Sequence, residues 1–424
     1  MSNLVPEGWK GSKVGDSCFV TKLAGYEYTS HFDYSIGGEI IAVRVLNLKK
    51  GKLDLSQVQT IPRATSDALP RSKLAKNDLV ISYVGTVGEV AFIDEDDRYH
   101  LAPNVAKITP DENEIDGKFL AHVFTSDDTQ KSIKLLGSVT SQPSLSMENL
   151  RKVFVPLPPL PEQKKIAAIL TSVDEVIEKT QAQIDKLKDL KTGMMQELLT
   201  RGVGVDGKPH TEFKDSPVGR IPKGWEVRYI ADCCSKMTNG YVGSTRDIYV
   251  EKGVDYILCQ NVRRNVFVEK TYKYVRQEFH QKNIRACLQE GDVLTVQTGA
   301  GNGDTCVVPK SYEGANCHAL IISRPKKEIL NPYFLAEYMN SDQGKQRVSV
   351  IATGGAHPHL NTTDLRREVI PLPPIEEQNQ MVNSIRAVQK KYLLLEAKKK
   401  KFEGSKKALM QDLLTGKVRV KVDS

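Results

Sequence analysis

Several features that would narrow the function at once are missing from this 424-residue chain. Its seven cysteines are odd in number and form no CxxC pair, so neither a disulfide framework nor a zinc ribbon is indicated. No apolar run approaches the ~18 residues needed to cross a bilayer, and no secretory h-region opens the sequence. A GK[ST] phosphate loop is absent. Charge of one sign is scarce too. Lys and Arg number 60 against 52 Asp and Glu, a net +8 that permits a polyanionic partner without requiring one. These absences describe a reduced, cytoplasmic protein. Its 40% hydrophobic and 26% charged content is ordinary for a globular chain with room for two or three cores.

What the sequence does contain is a repetition. PLPPLPEQ begins at residue 156 and PLPPIEEQ at 371, an offset of 215. The same offset carries Phe119-Leu120-Ala121 onto Phe334-Leu335-Ala336, Leu150-Arg151 onto Leu365-Arg366, and Leu198-Leu199-Thr200 onto Leu413-Leu414-Thr415. Nearer the front the register slips by one residue. Pro6-Glu7-Gly8-Trp9 matches Pro222-Lys223-Gly224-Trp225, Asn47 matches Asn261, and Asp78 matches Asp292. The chain is two copies of one unit, each with a globular part and a helical part.

The globular parts mix short β runs with turns. Leu79–Val84 and Val293–Gln297 read as strands that end in glycines, and helices follow at 117–127 and 332–342. The PLPP segments read as stiff extended arms, because proline cannot continue a strand ladder or sit inside a helix. From Glu162 the pattern turns helical. Ile166, Leu170, Val173, Ile177, Thr180, Ile184, Leu187, Lys191, Met194 and Leu198 alternate 4 and 3 apart. The second copy repeats the stripe as Met381, Ile385, Val388, Tyr392, Leu395, Lys399, Phe402, Lys406, Leu409 and Leu413. Lys191, Lys399 and Lys406 are blemishes that either snorkel to the edge or mark where the coil opens. Each helix should run roughly 50 Å at ~1.5 Å per residue.

The expected fold is α+β. Two pseudo-twofold-related globular domains are separated by a pair of long antiparallel coiled-coil helices. The boundaries are 1–155 for the first domain, 156–202 for the first proline-led helix and 203–219 for a linker. The second domain takes 220–370, the second helix 371–415 and a tail 416–424. Two similar but non-identical heads on a stiff spacer suit a ligand with two separated, twofold-related sites, and duplex DNA is the obvious one.

Here the sequence resembles the DNA-specificity subunits of type I restriction–modification systems. The resemblance rests on PLPPLPEQ with its MQELLT exit and on PLPPIEEQ with its MQDLLTGKVRV exit, and it spans essentially the whole chain. It implies that each globular domain reads one part of a bipartite site in double-stranded DNA. It also implies that the helices set the unread spacer and dock two methyltransferase (modification) subunits, with restriction/translocase subunits as optional further partners. S-adenosylmethionine, ATP and Mg would belong to those partners. This chain would carry no catalytic, cofactor or metal residue.

Candidate DNA contacts come in matched pairs. Lys49-Lys50 and Arg263-Arg264 follow the matched asparagines, and Arg71 coincides with Arg285. Basic pairs at strand exits suit phosphate contacts or bidentate guanine reading; solvated surface turns are the competing account. Tyr26 and Tyr241 follow matched glycines and either stack at a groove or pack in a core. Gln142 in loop 138–144 and His357 and His359 in loop 353–359 have base-edge potential, unless these are only local turns around proline. No spacing of ligands makes His357 and His359 a metal site.

Two motifs imitate enzymes. Asn331-Pro332-Tyr333-Phe334 is similar to an adenine methyltransferase motif but lacks the second proline, and reads as a capped helix start. Gly299–Gly303 is expected to continue as strand rather than open a helix. Two further functions stay open on sequence alone: a self-contained DNA adenine methyltransferase, and a structural coiled-coil scaffold for protein partners.

Overall fold

The computed structural model describes residues 5–25, 34, 37–138, 143–204, 206–299, 301–352 and 359–421. They divide into two compact units, 1–182 with 397–424, and 183–396. Each unit therefore holds one head, the start of the long helix that follows it, and the end of the other long helix.

In the first unit, one four-stranded sheet has the order Cys18–Lys22, Val105–Pro110, Leu79–Ser82, Val90–Phe92, all antiparallel. The second sheet runs Gln59–Ile61, Ile40–Val43, Tyr99–Leu101, Lys73–Leu74, with Tyr99–Leu101 parallel to Ile40–Val43. Both faces of the central strand are covered: Ala106 and Ile108 enter one core and Val105 another. The second unit repeats the first arrangement with Cys234–Asn239, Leu320–Pro325, Val293–Val296 and Thr305–Val307. The parallel pairing recurs as Tyr256 opposite Asn316. Strands Leu79–Ser82 and Val293–Val296 match the sequence expectation, and the helices run Gly117–Thr125 and Pro332–Asn340.

The PLPP segments depart from the reading that proline cannot continue a strand ladder. Pro156 and Leu157 lie in a strand, Phe154–Leu157, paired antiparallel with Lys10–Lys13. Pro371 and Leu372 do the same against Glu226–Tyr229. Each of these sheets has only two strands, so both strands are edges, where a residue without an N–H is tolerated. The prolines thus fasten the helix entrance to the front of the same head.

The long helices begin slightly earlier than expected and run longer. They span Leu160–Arg201, 42 residues, and Ile375–Leu413, 39 residues. That gives each a contour of about 60 Å. Within each unit the helix pieces pair antiparallel. In the first, Ile166 and Leu170 pack in one core with Leu409, Met410, Leu413 and Leu414. In the second, Met381 and Val382 pack with Met195, Leu198 and Leu199.

The remaining seam positions Val173, Ile177, Leu187, Met194, Val388, Tyr392, Leu395 and Phe402 are half-buried, whereas Ile184 and Ile385 are buried. Two of the three lysines on the stripe find partners on the facing helix. Lys191 donates to Gln389 Oε1 at 2.7 Å. Its counterpart Lys406 pairs with Asp174 at 2.6 Å, the position matched to Gln389. Lys399 pairs along its own helix with Glu403.

Candidate nucleic-acid interface

The matched basic pairs sit on matched β-hairpins. In the first head, Leu48–Lys49 pairs with Lys52–Leu53 around a turn in which Lys50 has φ 49 and Gly51 φ 91. In the second, Val262–Arg263 pairs with Val266–Phe267, and Asn265 takes φ 59. Positive φ at such turns suits Gly and Asn, and costs little for one exposed lysine.

Both hairpins are closed by a buried asparagine. Asn47 accepts from the Arg44 amide at 3.1 Å and donates to the carbonyls of Asp54 and Gln57, each at 2.9 Å. Asn261 accepts from Leu258 at 3.0 Å and donates to Val268 and Lys270 at 2.9 and 2.8 Å. The register of the repeat marks these residues, but their role emerges only once the loop they tie is folded.

The two hairpins display charge differently. Lys49 is held by Asp54, whose carboxyl that hydrogen bond keeps well below the usual carboxylate range. Lys50 is exposed at the tip. Both line a cleft of about 1110 Å³ with Arg44, Gln57, Thr86 and Asn104. In the second head, Arg263 bends back to the carbonyls of Cys259 and Val262. Arg264 shares Asp304 with Lys345.

Arg71 and Arg285 lie exposed on matched turns, Pro70–Ser72 and Ile284–Ala286, and neither lines that cleft. Tyr241 is half-buried, edge-on to Phe279 at 4.9 Å, and donates to the Ser244 carbonyl. His359 is exposed and bridges to Thr298. Tyr26, Gln142 and His357 lie outside the described residues.

The structure also brings the glycine turns and the polar loops together. The Gly85 amide donates to Pro143 at 3.0 Å, and Leu145 to Tyr83 at 2.8 Å. In the second head Leu360 donates to Gln297 at 2.9 Å. At this end of the sheet Lys22 lies over the Tyr83 ring at 5.0 Å. The matched strand end in the second head carries amides instead, Gln297 donating to Asn239 at 3.2 Å. The two heads therefore share a scaffold and differ in chemistry at its rim.

The Glu-Gln of each proline motif explains how a head grips the helices. Gln163 donates to the carbonyls of Glu114 and Pro158 and accepts from the Asp116 amide. Gln378 repeats this with Ile329, Pro373 and Asn331. Glu377, fully buried, receives the chain leaving the first long helix. It accepts from the amides of Val203 and Gly204 and from Trp225 Nε1, and it pairs with His210. Glu162 receives the tail beyond the second helix through a two-pronged bond to Arg419, both at 2.8 Å. That bond holds its carboxyl below the usual range. Each helix leaves through a glycine with positive φ, Gly202 or Gly416.

The two enzyme-like motifs are structural. The Asn331 side chain accepts from the amides of Tyr333 and Phe334 as a helix cap. Residues 301–304 lead into strand Thr305–Val307. Among the described residues, no cluster of three His, Cys, Asp or Glu could hold a metal, and no helix is long and apolar enough to cross a membrane.

Residues 6–189 and 222–403 match the family model for the type I restriction modification DNA specificity domain, once per repeat. The chain belongs to this family. The type I restriction enzyme MjaVIII specificity subunit of Methanocaldococcus jannaschii is 25% identical over 98% of this chain and 94% of that one. The EcoKI specificity subunit of Escherichia coli is 21% identical over 90% of this chain and 82% of that one. In fold, the type I restriction–modification S subunit from M. genitalium superposes with a TM-score of 0.59 at 12% identity, covering 97% of each chain.

Proposed function

We propose that this chain is the sequence-specific DNA-binding subunit of a type I restriction–modification complex. Each head reads one half of a bipartite duplex site, and the helices set the unread spacer and dock two methyltransferase subunits. The observation that carries this reading is the doubled family match, which falls on two heads that each present an asparagine-locked basic hairpin. The divergence of the heads at these hairpins and at the Tyr83 and Gln297 strand ends supports two different half-sites.

Methyl transfer with S-adenosylmethionine, and ATP- and Mg-dependent translocation and cleavage, belong in this reading to partner subunits acting in the cytoplasm. Mapping methylated adenines in the host, with and without this gene, tests it. Loss of one bipartite motif is the expected result, and an unchanged methylome would remove the assignment. The competing enzyme reading is tested with the purified chain, duplex DNA and labelled S-adenosylmethionine. No incorporation is expected without added subunits.

A further inference from the structure

The repeat supplies an internal comparison between two copies of one groove, the space between the basic hairpin and the long helix of the same unit. In the first unit this space is spanned by an ion pair, Lys52 to Glu178 at 2.6 Å. Register converts Lys52 into Val266, Glu178 into Leu393, and the neighbouring Lys179 into Leu394. All three replacements are aliphatic, and all three are exposed, at 48%, 56% and 62%. A charged closure in one copy has become an open apolar face in the other.

That face lines a groove of about 810 Å³ together with Phe267, Arg386 and Lys390. The charged lining is unbalanced. Of its four cations, Arg264 is paired with Asp304 and Lys191 donates to Gln389, which leaves Arg386 and Lys390 for the groove; of its two carboxylates, Glu337 is buried and taken by Asn265 at 2.6 Å. Arg386 lies over the Tyr333 ring at 4.2 Å, which holds its guanidinium at the rim. Along the helix the lining residues 383, 387, 390 and 394 fall one turn apart, so the groove follows one helical stripe for about 16 Å. Aliphatic side chains left in water on one face and ringed by cations mark an interaction surface.

We propose that this groove takes one amphipathic helix of a protein partner, with leucine-like side chains inserted between Val266 and Leu393 and carboxylates beside Arg386 and Lys390. At the matched positions the first unit carries Lys52, Glu178 and Lys179, so the partner docks once per chain. This goes beyond the DNA reading, which treats the two units alike.

The test uses the full chain and fluorescence anisotropy. The probes are an 18-residue peptide with leucines on one helical face and glutamates on the other, the same peptide with lysines for glutamates, and a 20-base-pair duplex. One leucine–glutamate peptide per chain is expected, with binding at least tenfold weaker for the lysine version. The double substitution Leu393→Glu with Leu394→Lys, which installs the first unit's Glu178 and Lys179 on the helix, should weaken the peptide at least tenfold and leave sequence-specific DNA binding unchanged. Equal binding of the two peptides by the unaltered chain would overturn the proposal, as would undiminished binding in the double variant. Displacement of the peptide by the duplex would also overturn it, by assigning the groove to nucleic acid.

Discussion

Asn47 and Asn261 each satisfy three backbone groups away from water, and the basic hairpins depend on them. Replacing Asn261 with Ala strands two carbonyls and one amide, at a cost of about 1–3 kcal/mol. A lower urea midpoint for the second unit's tryptophan, Trp225, would register that loss. Lys50 has the opposite character, since it is exposed at a turn whose fold does not use its amine. Lys50→Ala should leave stability unchanged and weaken DNA binding evenly across sequences. Its signature would be a slope of log K against log salt that is shallower by about 1.

His122 gives a third handle at this scale. It is buried against Thr171 at 3.1 Å, and that burial pushes its imidazole down to about 4. A base whose folded value lies below its unfolded value of about 6.5 contributes fully above that pH. Between about 6.5 and 4 the unfolded chain takes up a proton that the folded chain refuses, so stability falls as pH falls. The loss can reach about 3 kcal/mol. His122→Asn should flatten the acid limb of a stability–pH curve measured by thermal unfolding.

At the scale of elements, the long helices and the strand–glycine units are the most legible parts. A stripe kept for several heptads can bury only one face, and the repeat checks every position twice. The partners of the stripe were harder to see. Lys191 and Lys406 look like flaws until the facing helix supplies Gln389 and Asp174, and no pattern within one helix names a residue across from it. The strand character of Pro156 and Pro371 was hidden for a similar reason. Proline forbids donation, but a two-stranded edge does not ask for it. The candidate site is the least legible of all. Arg263 and Arg264 read as phosphate or guanine contacts or as a solvated turn, and the contacts each exposed arginine makes to its own head are ones that sequence spacing does not encode.

At the scale of the whole molecule, both helices pass from one unit to the other, between 182 and 183 and between 396 and 397. The cross-helix pairs on either side, Asp174 with Lys406 and Lys191 with Gln389, fix the register in each unit. Seven residues added to one helix alone would break one of those registers. Seven added to both, between the two pairs, should preserve them. In the DNA reading, the methylated motif of a strain carrying the double insertion should keep both half-sites and gain a longer unread spacer. Altered half-sites with the old spacing would reject the helices as the ruler.

Leu413, Leu414 and Arg419 complete the core and the Glu162 latch of the unit that contains the amino-terminal head. The second unit, by contrast, is one continuous stretch of chain. On the ribosome the usual order is therefore inverted: the head translated first waits for residues 413–419 before it can close, and the head translated later is finished sooner. A message broken after residue 396 should release a protein with a sound second unit and an unsealed first one, a lesion that limited proteolysis would locate in residues 1–182.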